Sequence, residues 1–456
     1  MTKEQLQKYF CQDKSNWYII NNGGQKVWDM QKVDEFWELI RIHKMDIKDY
    51  NFANFVFPKF QRNGSNPSTR ESSFRSDFWK KRQITDFDKE VSFISAKFLS
   101  PALFSSVKFE KVQFIKTVFE ENAQFNNCIF NDIANFSHFE FSEPVSFCGA
   151  KFNGRNRGAE FSSIIFGHVS DFRNVIFNSR VRFVNSTFHL RSLFNNAVFN
   201  VDVDFKHNDF KNYLDLSNVQ FFKKALFENN NFIRVNMESV NKKDFEYLDK
   251  ITPAFPPKIN FVDSDFNSGF IISNTNLKDI SFDNCDVTDL TFKRCDWAIQ
   301  NDRLVINEVG RELKDSEEHY RQIKRNFNNK KNWEMSGLAY VSEMDMRRKR
   351  LWNEKNYYSW FLYWFYGYFS GYTQDIKKPI LSIIALISIS TLIFYFIDQN
   401  IVNGFQRSLK GALPYFEIGI EKPFAGYWLI IKNIETILGG TFLTFFVLAL
   451  RKRFKQ

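Results

Sequence analysis

The chain predicts a mainly β protein of stacked coils, continued by a helical hairpin and two transmembrane helices. Three observations carry that expectation. Phenylalanine makes up 56 of the 456 residues and returns every five or six positions through the first two thirds of the chain. From about residue 303 the apolar spacing changes to that of helices. Two late segments stay apolar over the length that crosses a bilayer.

The ladder reads Phe93, Phe98, Phe104, Phe109, Phe114, Phe119, Phe125, Phe130, Phe136, Phe141, Phe147, Phe152. It resumes at Phe161 and continues to Phe210, Leu216, Phe221, Phe227 and Phe232. Steps of five and six alternate, so the unit is eleven residues, which matches neither the 3.6 period of a helix nor the period of 2 of a strand. A fixed period over such a length means stacked repeats. Two residues before most rings stands a small or β-branched residue, as at Ala96, Ala102, Val107, Val112, Thr117, Ala123 and Cys128. One ring and one small side chain fill a narrow interior while the polar residues between them face water. A single coil cannot enclose its own apolar face, so stability grows with the number of coils.

The stretch FSSVKFEKVQFIKTVFEENAQFNNCIF, with Phe109, Phe114, Phe119, Phe125 and Phe130 as its repeat core, resembles the pentapeptide-repeat family. The resemblance covers residues 86–232 and, less fully, 261–299, where Leu277, Phe282, Val287, Phe292 and Trp297 keep a period of five. It implies a right-handed quadrilateral β-helix with one repeat per side. The six-residue steps depart from the strict period and read as an extra corner residue, giving about 22 residues per coil.

Net charge is +10, with +5 on residues 1–85, −3 on 86–299 and +8 on 300–456. The solenoid is thus nearly neutral. It lacks the acidity that DNA mimicry by members of that family requires, and it lacks the basic stripe of a nucleic-acid binder. No nucleic-acid partner is expected. The local group Arg155, Arg157, Arg173, Arg180, Arg182 and Arg191 reads as solvated surface. The cysteines (Cys11, Cys128, Cys148, Cys285, Cys295) have no metal-ligand spacing, and Cys128 and Cys285 fall in small-residue slots.

Residues 1–50 read as an N-terminal cap, with Phe36, Leu39, Ile40 and Ile42 near Trp37 in amphipathic spacing. The β-helix is assigned to 51–299, with loop insertions at 61–85 and 233–260, the second rich in proline. A helical hairpin linker follows at 303–355, with Tyr320, Ile323 and Phe327 on one face and Met335, Leu338, Ala339 and Met346 on another. It resembles the segment that joins repeats to membrane anchors in some bacterial pentapeptide-repeat proteins.

The last unit, 376–456, carries apolar runs at 379–397 and 427–450. Lys377 and Lys378 precede the first; Arg451, Lys452, Arg453 and Lys455 follow the second. The positive-inside rule places both ends in the cytoplasm, at the cell's inner membrane. The opening residues lack the apolar core of a signal peptide, which agrees. The aromatic segment 356–375 is expected to lie at the headgroup level as an interfacial helix. Trp360 and Trp364, together with Arg347, Arg348, Lys349 and Arg350, would meet the lipid surface. The alternative is a third span.

In the second run Lys432, Glu435, Thr436, Gly439, Gly440 and Thr444 recur at steps of three and four, a polar or small stripe along one helix. It reads either as a pore lining or as close helix packing, with Glu435 answered by Lys432. Span, loop, span and basic tail together resemble the two-helix module of potassium channels. That likeness implies a homo-oligomer, a tetramer by analogy. The loop GFQRSLKGALPYFEIGIEKP lacks the Thr-Val-Gly-Tyr-Gly filter, so potassium selectivity is not implied.

His43, His138, His168, His189, His207 and His319 are scattered, with no triad or ligand spacing, and there is no phosphate loop. No enzyme activity, cofactor or metal is expected. Two readings follow. The repeats sense or recruit an unknown protein partner and are coupled to an oligomeric channel-like pore, or the spans only tether an interaction scaffold to the inner membrane face.

Overall fold

The computed structural model describes residues 17–59, 86–154, 158–238, 259–277, 280–306, 308, 311–413 and 426–454. They form two compact units, Met1–Trp297 and Ala298–Gln456. The loop expected at 61–85 and the prolines of 251–258 lie outside the described residues, as do Cys11, Arg155 and Arg157. Strands Asn231–Glu238 and Ile259–Val262 occupy both ends of the second expected insertion.

The first unit is a β-solenoid of about eight turns with parallel strand pairing throughout. Its register repeats at the expected interval: Phe161 pairs with Phe183 and Phe183 with Phe205, 22 residues apart. Phe109 and Phe130 are 21 apart. Short insertions are absorbed without loss of register, so Phe136 pairs with Phe161 and Phe227 with Phe261.

Every ladder ring falls into one of four columns, one per side of the coil. The longest column runs from Phe52 through Phe93, Phe114, Phe136 and Phe161 to Phe282. Successive rings are stacked with centroids such as 5.0 Å for Phe136–Phe161 and 4.8 Å for Phe161–Phe183. That is the spacing of neighbouring strands, ~4.8 Å, so backbone ladder and ring stack share one repeat. Two diagonal columns meet edge to face on the axis, as Phe147 and Phe161 do at 5.5 Å and 90°. The named core rings Phe109, Phe114, Phe119, Phe125 and Phe130 are all buried.

Alternate corners explain the five-and-six rhythm. Two residues after every ring of the two diagonal columns the backbone turns left-handed: Ser163 (φ 53°), Asn174 (57°), Asn185 (53°), Asn196 (59°), His207 (55°), Asn218 (55°). Asparagine tolerates that conformation better than most side chains. The six-residue steps, such as Phe98 to Phe104, hold no positive-φ residue and turn with their extra residue instead. Where the slot after a left-handed corner is polar, it bonds to the coil below: Thr117 Oγ1 donates to the Phe93 carbonyl at 2.8 Å, and Asn208 Nδ2 to that of Phe183 at 2.8 Å. Cys128 occupies the same slot, and burial pushes its thiol well above the usual range.

The cap is a hairpin (Tyr18–Ile20 with Lys26–Trp28) followed by helix α1, Met30–Ile40. Helix α1 buries Val33, Phe36, Trp37 and Ile40 rather than the expected set containing Leu39 and Ile42. At Arg41–Met45 the helix widens into a π turn. That resets its phase, turning Ile42 outward and Met45 inward. Phe36 meets Phe57 edge-on at 5.9 Å, and Phe57 stacks on Phe98 at 4.7 Å, so the cap continues the ring packing.

In the second unit a short hairpin (Ile299–Gln300 with Arg303–Leu304) precedes six α-helices among the described residues. These are α2 Leu313–Asn329, α3 Trp333–Asn353, α4 Tyr357–Ser370, α5 Lys377–Asp398, α6 Ile401–Ala412 and α7 Tyr427–Phe454. Helices α2 and α3 form the expected hairpin, and Tyr320, Ile323 and Phe327 are buried in it. Segments Lys377–Phe396 and Leu429–Phe454 are long and apolar enough to cross a membrane. Helix α4, 14 residues, is ~21 Å long, short of the ~30 Å hydrocarbon core.

Candidate functional site

The described part of the arch between the two candidate spans is helical, as Ile401–Ala412, which the sequence pattern did not disclose. Asn400 ends the first span and caps α6, its side chain accepting from Val402 N at 2.9 Å. Helix α6 folds back and packs on both α5 and α7. Its inward face is small or polar (Gly404, Ser408, Gly411), while Ile401, Val402 and Phe405 face outward. A Cβ on Gly404 would come 2.8 Å from the Thr391 carbonyl oxygen, so glycine there sets how closely α6 approaches α5.

Glu435 is the polar centre of this contact. It is 2% exposed, and Ser408 Oγ of α6 lies 2.5 Å from its Oε1. The same hydroxyl is 3.0 Å from the Ile387 carbonyl, tying α5, α6 and α7 together. The other carboxylate oxygen, Oε2, faces Gly411 and has no hydrogen-bond partner among the described residues. Thr436 Oγ1 donates to the Gly411 carbonyl at 2.9 Å.

The six-residue stripe is thereby divided. Glu435, Thr436 and Gly439 face α6, and Gly439 lies against the Ala412 backbone. Gly440 and Thr444 face outward, and a Cβ on Gly440 would meet nothing within 4 Å. Lys432 is half-buried, and Glu435 is answered by Ser408. Residues 414–425, where a filter would fall, lie outside the described residues.

The cations expected at the lipid surface are partly exposed and pair with carboxylates of the helical hairpin. Glu317, buried in α2, accepts from Arg321 Nη2 at 3.0 Å, Arg347 Nε at 2.8 Å and Arg350 Nε at 2.8 Å. Arg348 and Lys349 pair with Asp345 at 2.6 and 3.2 Å. Trp360 and Trp364 are half-exposed on α4, which packs on α7 through Phe369 and Phe442 at 5.0 Å. Helix α4 joins α5 through three consecutive left-handed residues, Gly371, Tyr372 and Thr373, strained at the β-branched Thr373.

This network predicts acid sensitivity with a defined sign. Burial, aided by Arg311, pushes His319 down to about 3. The unfolded chain binds that proton below about 6.5 and the folded unit does not, so each pH unit down to about 3 removes about 1.4 kcal/mol of stability. Burial alone would raise Glu317, but hydrogen bonds from Arg350 and Arg347 outweigh it and hold the carboxyl below its ordinary value. Its contribution is present above the ordinary carboxylate range and lost as pH falls through the folded value. Thermal melts from pH 7 to 5 should therefore fall in the native protein and flatten in His319→Gln; equal slopes would refute the assignment.

Fold and site define a β-solenoid protein with two helices of membrane-crossing length, packed against a short helix that folds back from the first of them. Compared with protein-family models, curated proteins and solved structures, the chain finds no match.

Proposed function

We propose that this chain is a membrane-anchored pentapeptide-repeat protein whose cytoplasmic β-helix senses or recruits a protein partner. In this reading the C-terminal helices of several copies, four by analogy, assemble into a channel-like pore. The observation that carries it is α6: a 12-residue helix folded back between two spans, as the pore helix lies in two-helix potassium channels. An arch that only linked two anchors would not need a helix with an inward small face and an outward apolar one. The solenoid supplies a rigid, nearly neutral surface, and the hairpin α2–α3 joins it in sequence to the spans. Binding and conduction, not catalysis, are the activities assigned, with both chain ends on the cytoplasmic side of the inner membrane. No nucleic acid is assigned as a partner.

A plain tether is the second reading, favoured by the uptake of Glu435, Thr436 and Gly439 into packing against α6. Oligomeric state in detergent and conductance in reconstituted bilayers separate the two. The pore reading expects an oligomer, step-like currents, and modification of Thr444→Cys from the aqueous phase that blocks them. A monomer without current would leave the tether.

A further inference from the structure

The structure carries a second constellation that neither the solenoid nor the arch uses. Between α2, α3 and α4 lies an open cavity of about 490 Å³, lined by Lys324, Tyr340, Glu343, Arg347 and Tyr363 and, on its apolar side, Leu362. Two ammonium groups face the ring of Tyr340: Lys324 Nζ at 5.1 Å and Lys452 Nζ at 4.7 Å from its centroid. Lys324 is paired with Glu343 at 2.5 Å, and Arg347 with Glu317. Lys452 is half-buried and has no carboxylate within 4 Å among the described residues. Burial, with Tyr366 and Glu343 nearby, raises the Tyr340 phenol, so it remains a proton donor at neutral pH.

A half-buried cation beside a second cation, with no counter-ion, is costly unless an anion completes the site. The donors on offer, ammonium, guanidinium and phenol, match phosphate oxygens. The position selects the source of that phosphate. Lys452 is in the last turn of α7, where the membrane-crossing segment ends. The cavity's other wall is the aromatic helix α4, with Leu362 and Phe361 about half exposed. That is the headgroup level of a bilayer leaflet, with apolar surface available to acyl chains.

We propose that the Tyr340 edge of this cavity binds the phosphate of an anionic phospholipid, with Lys452, which faces that ring from the end of α7, as its principal cation and Lys324 and Arg347, each already paired with a carboxylate, on the cavity side. The inference rests on the membrane reading above but not on conduction. It also moves lipid recognition from the α3 arginines, already taken up by carboxylates, to the junction of α3, α4 and the end of α7.

The test uses the full chain in detergent, titrated with phosphatidylglycerol or phosphatidylcholine, with retained lipid counted by native mass spectrometry. Phosphatidylglycerol should be retained in preference. Lys452→Gln should weaken its retention about tenfold, Lys452→Arg should restore most of it, and the exposed neighbour Arg451→Gln should change it less than about twofold. Inorganic phosphate at equal concentration should not displace the lipid. Equal losses from Lys452→Gln and Arg451→Gln would mean diffuse attraction and overturn the site. So would equal retention of the two lipids, or full displacement by inorganic phosphate. Alkaline extraction of membranes keeps the two claims apart: a protein that stays in the membrane without lipid preference refutes only this site, and one that is extracted refutes the membrane reading.

Discussion

Phe161→Ala is expected to destabilise the solenoid by about 4 kcal/mol, the largest single effect in the first unit. Phe161 has no exposed surface and stacks on Phe136 at 5.0 Å and Phe183 at 4.8 Å. It also meets Phe147 and Phe172 edge-on, each at 5.5 Å. Removing it opens a cavity that four rings cannot collapse into, because each is fixed in its own column by the backbone ladder. Phe282 is the last ring of the same column among the described residues, stacked on Phe261 at 5.4 Å and 5% exposed. Phe282→Ala should cost about half as much, since end coils contribute one interface rather than two. Urea titrations of the full chain in detergent, followed by the β-sheet signal, compare the two. Equal losses would mean that stability is not built from neighbouring coils.

In the second unit the largest effect is expected at one of two adjacent glycines. A side chain at Gly439 would overlap the carbonyl of Ala412, a backbone group that cannot swing aside. Gly439→Ala should push α6 off α7, break the Ser408–Glu435 contact and cost about 1–3 kcal/mol. Gly440 has open space around it, so Gly440→Ala should be neutral or add up to about 1 kcal/mol through helix propensity. Thermal melts in detergent should show a lowered midpoint for Gly439→Ala and an equal or raised one for Gly440→Ala. Shifts of the same sign would remove α6 from the position assigned to it, and with it the main support for a pore.

Much of the first unit was legible because its information is local. The ring at every fifth or sixth position, the small residue two before it and the nearly neutral charge are each visible in a short window. Together they admit few folds other than a stacked solenoid. Even the corner residues have a sequence signal, in the asparagines at 174, 185, 196, 218 and 229, each two positions after a ladder residue. The cap was less legible, because the π turn at Arg41–Met45 shifts the helical phase, and no periodic pattern announces such a shift.

The candidate site was legible only as a set of residues. The stripe from Lys432 to Thr444 is real as a spacing, but a helical face does not say what lies opposite it. Helix α6 has short runs of apolar residues mixed with Gly404, Gln406, Arg407 and Lys410, which read as a loop until α5 and α7 are there to bury its small face. Arg347 and Arg350 likewise read as free cations until α2 brings Glu317 between them.

The amino-acid sequence by itself determined the repeat, its length of about 22 residues per coil, and the two apolar segments. Those follow from periodicity and composition, which need no partner. Only the tertiary structure decided which polar groups meet: Glu435 with Ser408, Glu317 with Arg347 and Arg350, and Lys452 facing Tyr340 with no carboxylate within 4 Å among the described residues. Each joins residues at least one helix apart, or leaves a charge unanswered. The balance between desolvation and pairing that governs them is set when helices pack, not by spacing along the chain.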